Sequence, residues 1–142
     1  LVQTSLNLGI LKTGEGEAAM TFSVRSSVNT EKQELIGKLK ALAETYGAVY
    51  SQSGEYPAWE YRKESTLRDT MVRAYEELYG TKPVVEAIHA GLECGLFGQK
   101  IAGLDAVSMG PQMHDIHTSR ERLEIASTKR TWEFLLEVLK AL

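Results

Sequence analysis

The sequence predicts an α+β segment followed by an α/β layer. Three observations carry that prediction. Two period-2 runs flank a short glycine turn near the start. Helical apolar stripes recur over 31–46, 66–79 and 127–142. Between the last two, short apolar runs alternate with glycines, the order helix, strand, glycine loop, strand, helix. The 142 residues hold 43% hydrophobic and 25% charged side chains, enough apolar surface to offset chain entropy, so disorder is excluded.

Taken in order, Thr4 to Lys12 alternates Leu6, Leu8 and Ile10 with polar residues and glycine. The polar stretch Thr13-Gly14-Glu15-Gly16-Glu17 follows, and then Met20, Phe22 and Val24 alternate with Thr21, Ser23 and Arg25. Two such runs around a short loop read as an antiparallel hairpin. Asn29 and Thr30 are capable N-caps, and Leu35, Ile36, Leu39, Leu42, Ala43 and Tyr46 form one stripe that Gly47 ends. Ala48 to Gln52 suits a short strand. The stretch from Gly54 to Lys63, with Pro57, Trp59 and mixed charge, is the expected boundary between a domain over 1–60 and another over 61–142.

The helix over Thr66–Tyr79 carries Leu67, Met71, Ala74, Tyr75 and Leu78 on one face and meets its stop at Gly80. Pro83 to Ile88 and Ala106 to Met109 read as short buried strands on either side of a region rich in glycine. The tail from Ser127 to Leu142 is the clearest helix, with Ser127 or Thr128 as its cap and Trp132, Leu135, Leu136, Leu139 and Leu142 as its stripe. Each half has a thin core, because about 60 residues bury only about 60% of their unfolded surface. Together with an opening Leu1 that leads straight into strand-like sequence, this implies a portion of a longer protein or an oligomer.

Composition narrows the partners. Sixteen basic against nineteen acidic residues leave a net charge of −3, the wrong balance for nucleic acid. No apolar run approaches the roughly 20 residues that span a bilayer, and no signal peptide is visible at Leu1. The single Cys94 fits a reducing, cytoplasmic setting. Acidic and apolar neighbours make it an inert thiol and not a nucleophile. The glycine region lacks both GxxxxGK[ST] and GxGxxG, so it is no phosphate loop.

The three histidines, His89, His114 and His117, all lie in the second half, in loops or at strand ends. Loops that follow strand C-termini are where α/β proteins place ligands, and a neutral imidazole there suits zinc. Read alone the signal is weak. There is no HExxH and no CxxC pair, and three ligands cannot be assembled.

Three blocks change the weight: Ile88-His89-Ala90-Gly91-Leu92-Glu93-Cys94-Gly95-Leu96-Phe97, then Gly103-Leu104-Asp105-Ala106-Val107-Ser108-Met109-Gly110-Pro111, then Asp115-Ile116-His117-Thr118-Ser119-Arg120-Glu121-Arg122-Leu123. In this order and spacing they resemble the C-terminal part of bacterial aminoacyl-histidine (Xaa-His) dipeptidases, in the zinc aminopeptidase/carboxypeptidase/aminoacylase superfamily. The resemblance runs the whole chain, more loosely over the first sixty residues. It implies the second half of an α+β lid domain, which dimerises, followed by the C-terminal part of an α/β zinc-hydrolase catalytic domain. It implies two zinc ions per complete site, with other divalent metals as alternatives, and dipeptide substrates such as β-alanyl-histidine.

Residue by residue, His117 in its His-Thr-x-x-Glu context matches the family's last metal ligand. Arg25 matches the arginine that binds the substrate's terminal carboxylate, although on its own it reads as an exposed sheet-face residue. His89 and Glu93 fall in the substrate loop, and His114 matches no role. The family's other ligands and its general base, a glutamate in a Glu-Glu pair, precede the lid. Glu76-Glu77 lies on an amphipathic helix and is not that pair. No catalytic residue is therefore expected here, and the chain alone is expected to be inactive. The competing readings are a non-catalytic α+β module that dimerises through its hairpin edge and a metal-free pseudoenzyme.

Overall fold

The computed structural model describes residues 2–88 and 93–142. It is a mixed α/β chain of four helices and two small antiparallel sheets among the described residues. It divides into two compact units, one formed by 1–61 with 86–104 and the other by 62–85 with 105–142. The sequence prediction of one break between 60 and 61 thus meets a more interleaved division, because 86–104 groups with the first unit.

In the first unit, β1 (Thr4–Gly14) and β2 (Glu17–Ser26) form the hairpin that the alternation predicts. The turn closes at Gly16, whose φ of 77° only glycine adopts without strain. A bulge at Gly9 shifts the register, so that Leu8 pairs with Phe22 but Ile10 with Thr21. One extra residue inverts the alternation. Leu11, paired with Met20, therefore continues the face of Leu6 and Leu8, and Ile10 turns to the other face.

Helix α1 (Asn29–Thr45) packs against β2. Its N-cap is Val28 and not Asn29. The Asn29 side chain instead accepts a hydrogen bond from the Ala58 N–H at 2.8 Å, which ties the following loop to the helix start. Lys32 adds a bond to the Tyr56 carbonyl. Ser26, 5% exposed, shares a hydrogen bond with Thr4 and accepts one from the Val28 N–H. The segment expected as a strand at 48–52 runs without ladder pairing.

The glycine region holds a helix that periodicity missed, α3 (Glu93–Lys100). Gly95 makes it possible. A Cβ there would lie 2.8 Å from the Pro57 carbonyl oxygen and 3.4 Å from that of Ala58, so only a hydrogen lets the helix lie against that backbone.

The second unit holds the buried core. Helix α2 (Thr66–Tyr79) starts at Ser65, whose hydroxyl accepts from the Arg68 N–H, and ends at Gly80 with φ 70°. It packs on α4 (Ile125–Ala141) through Met71, Ala74, Phe134 and Val138, with Leu67, Tyr75, Tyr79 and Val107 around them. Tyr75 meets Phe134 edge-on at 5.3 Å between centroids, a favoured aromatic geometry. The buried stripe of α4 is Ser127, Phe134 and Val138. The predicted stripe is the second apolar side of the same helix: Trp132, Leu136, Leu139 and Leu142 are exposed and Leu135 is half-buried.

The predicted buried strands at 83–88 and 106–109 form no ladder among the described residues. A buried strand exists only with neighbours on its edges. Without them Val84 stays 84% exposed.

Candidate functional site

The feature best built for presenting a side chain is the hairpin loop around His117. Two short strands close it, β3 (Met113–His114) and β4 (Arg122–Leu123), with Met113 opposite Leu123 and His114 opposite Arg122. At the neck, Arg122 forms an ion pair with Asp115 at 2.9 Å. Inside it, the Asp115 carbonyl accepts from both the Thr118 N–H at 3.2 Å and the Thr118 hydroxyl at 2.7 Å. The Thr118 hydroxyl accepts in turn from the Arg120 N–H, and the Glu121 N–H reaches the Thr118 carbonyl. Short polar side chains that bond to nearby backbone set such turns.

This network holds two residues in the left-handed region, Asp115 at φ 52° and His117 at φ 66°. Aspartate and histidine enter that region more often than most side chains, though still at a cost relative to glycine. The Glu121 carboxylate accepts the His117 backbone N–H at 2.8 Å, which offsets part of that cost. A side chain held in an unfavourable conformation by its surroundings is a common mark of a functional position. The His117 imidazole is exposed.

His114 differs. It is an exposed ladder residue three positions earlier, in extended backbone.

Arg25 occupies the second-last position of β2, opposite Ser5, and its side chain is exposed. Glu93 opens α3, where a carboxylate complements the positive end of the helix dipole. Arg25 and Glu93 belong to the first unit and His117 to the second. His89 lies outside the described residues. Cys94 is a half-buried free thiol, and Glu76 and Glu77 are exposed on α2.

Among the described residues no group of three or more His, Cys, Asp or Glu side chains is arranged to hold a metal. His117 offers an exposed imidazole on a backbone held by the loop's hydrogen bonds, which fits one coordination position and not a centre. Two polar residues were not singled out as anchors by sequence reasoning. Asp105 holds the start of α2, and Ser127 holds the base of the hairpin loop. Each accepts a backbone N–H distant in sequence, that of Leu67 by Asp105 and that of Gln112 by Ser127, which periodicity does not register.

Over its whole length the chain is homologous to dipeptidases. The cytosol non-specific dipeptidase of Escherichia coli strain K12 is 32% identical over 140 residues, which is 99% of this chain and 29% of that protein. The crystal structure of aminoacylhistidine dipeptidase from Vibrio alginolyticus superposes on all of this chain with a TM-score of 0.85 at 34% identity, and is covered to 29%. The chain thus spans about three-tenths of the length of these relatives. No protein-family model matches it. The resemblance carried by the blocks around His89, Asp105 and His117 and the similarity of fold point to the same family. No described helix is long and apolar enough to cross a membrane.

Proposed function

We propose that these residues serve in a cytosolic, metal-dependent dipeptidase that hydrolyses Xaa-His dipeptides such as β-alanyl-histidine. The observation that carries this reading is His117. A homologue of dipeptidases holds His117 on a braced loop, in a left-handed conformation that few non-glycine residues adopt, within the His-Thr-x-x-Glu context of a metal ligand. The relatives' names favour an enzyme over a stand-alone dimerisation module.

In this reading residues 1–60 belong to a lid that also forms a homodimer, and residues 61–142 belong to the catalytic domain. His117 would take one coordination position of a two-zinc centre. Zinc, when bound, polarises a scissile carbonyl and supplies an activated water. Arg25 would grip the substrate's C-terminal carboxylate through two parallel hydrogen bonds, which sets the distance from chain end to cut. Glu93 and His89 would line the substrate loop.

The 142 residues contain one such ligand and no paired glutamate in a loop. By themselves they should hold zinc weakly and hydrolyse nothing. Stoichiometric zinc that survives dialysis against a mild chelator, or metal-dependent turnover, would contradict this. In the complete protein, His117→Ala should remove one metal and nearly all activity without unfolding. His114→Ala should be close to neutral. Metal content and kcat of both variants decide it, and zinc loss on His114→Ala alone would show that the wrong histidine has been assigned.

A further inference from the structure

Ser127 is one of four buried polar residues among those described, 5% exposed in the first turn of α4. The helix does not use it as an N-cap, since that position is Glu124, which makes no side-chain capping bond. Its hydroxyl is engaged by the loop instead. It accepts from the Gln112 N–H at 2.8 Å and donates to the Glu124 carbonyl at 2.8 Å. Gln112 precedes β3 and Glu124 follows β4, and the Glu124 N–H closes the ring on the Gln112 carbonyl at 3.0 Å. One buried hydroxyl therefore joins both feet of the hairpin loop to α4, whose Phe134 and Val138 are anchored in the core.

We propose that Ser127 is a positioning residue for His117. The ladder between β3 and β4 is only two residues long, too short to hold a loop in one place unaided. The hydroxyl converts that neck into a rigid mount, so the imidazole keeps one location relative to the helix core. A metal ligand works only when held to within a fraction of an ångström. The inference rests on the assignment of His117 as a ligand, and its test separates the two.

The experiment uses the complete protein, with zinc as the probe. Ser127→Ala should speed amide hydrogen exchange across 112–124 at least tenfold and leave α2 and the last turns of α4 unchanged. Zinc bound through His117 should dissociate at least tenfold faster, and kcat should fall with KM unchanged. Ser127→Thr keeps the hydroxyl and should restore slow exchange. Glu124→Pro is an independent variant that leaves Ser127 intact. Its φ of −79° suits proline. The substitution deletes the bond to Gln112 and also the ion pair of Glu124 with Arg130 at 3.0 Å. Glu124→Ala, which removes the ion pair alone, is its control, so the same amides should loosen in the proline variant beyond the alanine one.

Unchanged loop exchange in Ser127→Ala overturns the proposal, as does failure of threonine to restore it when Glu124→Pro has no effect. Loosened amides with unchanged zinc dissociation also overturn it, provided His117→Ala loses zinc. If His117→Ala itself keeps zinc, the ligand assignment fails, and the exchange result stands as a measure of the mount alone.

Discussion

Asp105 caps α2 from 38 residues further along the chain: one carboxylate oxygen accepts the Ser65 hydroxyl at 2.7 Å and the other the Leu67 N–H at 3.0 Å. Ser65 itself accepts from the Arg68 N–H at 3.0 Å, so a serine and a borrowed aspartate together satisfy the helix start. The Leu67 amide and the Ser65 hydroxyl hold the Asp105 carboxyl below its usual value, with partial burial acting weakly against them. A carboxyl whose pKa is lower in the folded than in the unfolded chain adds stability above its unfolded value, near 3.9. That stability drains as pH falls through the folded value. Asp105→Asn should therefore cost about 1–3 kcal/mol at pH 7 and flatten the loss of stability as pH falls below about 4. Urea unfolding of both proteins at pH 7 and pH 3 measures it. An equal deficit at the two pH values would show that the carboxylate charge plays no part.

The bond from the His117 N–H to Glu121 gives a second prediction. Glu121→Gln retains an oxygen acceptor and should leave the loop as it is. Glu121→Ala removes it and leaves the left-handed histidine without that support. The loop is exposed, so water replaces the carboxylate in part, and the cost should be about 0.5–1.5 kcal/mol. Faster exchange of the His117 amide in the alanine variant alone is the expected signature. Equal exchange in both variants would mean that the carboxylate does not brace the loop.

Gly95 gives a third. Its missing Cβ is replaced by carbonyl oxygens of Pro57 and Ala58, which are backbone and cannot swing aside. Gly95→Ala should lower stability by about 1–3 kcal/mol through overpacking. Gly98, where an added Cβ meets nothing within 4 Å, is the control. Gly98→Ala should be neutral or stabilising, because alanine favours the helix interior. Thermal melts of the two variants compare them directly, and a milder loss at Gly95 than at Gly98 would refute the close approach.

What was legible in the sequence is what local chemistry decides. Alternation located the hairpin, and Gly80 and the stripe of Leu67, Met71 and Ala74 located α2. Gly9 hid the inverted register, because a bulge depends on the partner strand. Gly91, Gly95 and Gly98 read as loop, although Gly95 is small in order to bring a helix close. Val84 and Val85 have strand composition but no ladder among the described residues, since pairing is a property of two segments. On α4 two apolar faces compete, and only packing against α2 selects Phe134 and Val138. The loop motif disclosed His117, whereas the hold of Ser127 on Gln112 and Glu124 appears only in three dimensions.

The last prediction concerns Arg25. It sits near the end of β2 with an exposed side chain, so truncation should leave stability within about 0.5 kcal/mol. If its guanidinium reads the substrate's terminal carboxylate, Arg25→Ala in the complete protein removes charged hydrogen bonds worth about 1.5–3 kcal/mol. At about 1.4 kcal/mol per decade, that is roughly a 10- to 150-fold rise in KM for dipeptides. Arg25→Lys keeps the charge and loses the fork, and should fall between the two. A dipeptide amide, which has no carboxylate to grip, supplies the decisive control. It should be a poor substrate for the parent protein and should lose little more on Arg25→Ala. An equal penalty for free acid and amide would assign Arg25 to the shape of the sheet, and an unchanged KM for the free acid would remove it from the substrate site altogether.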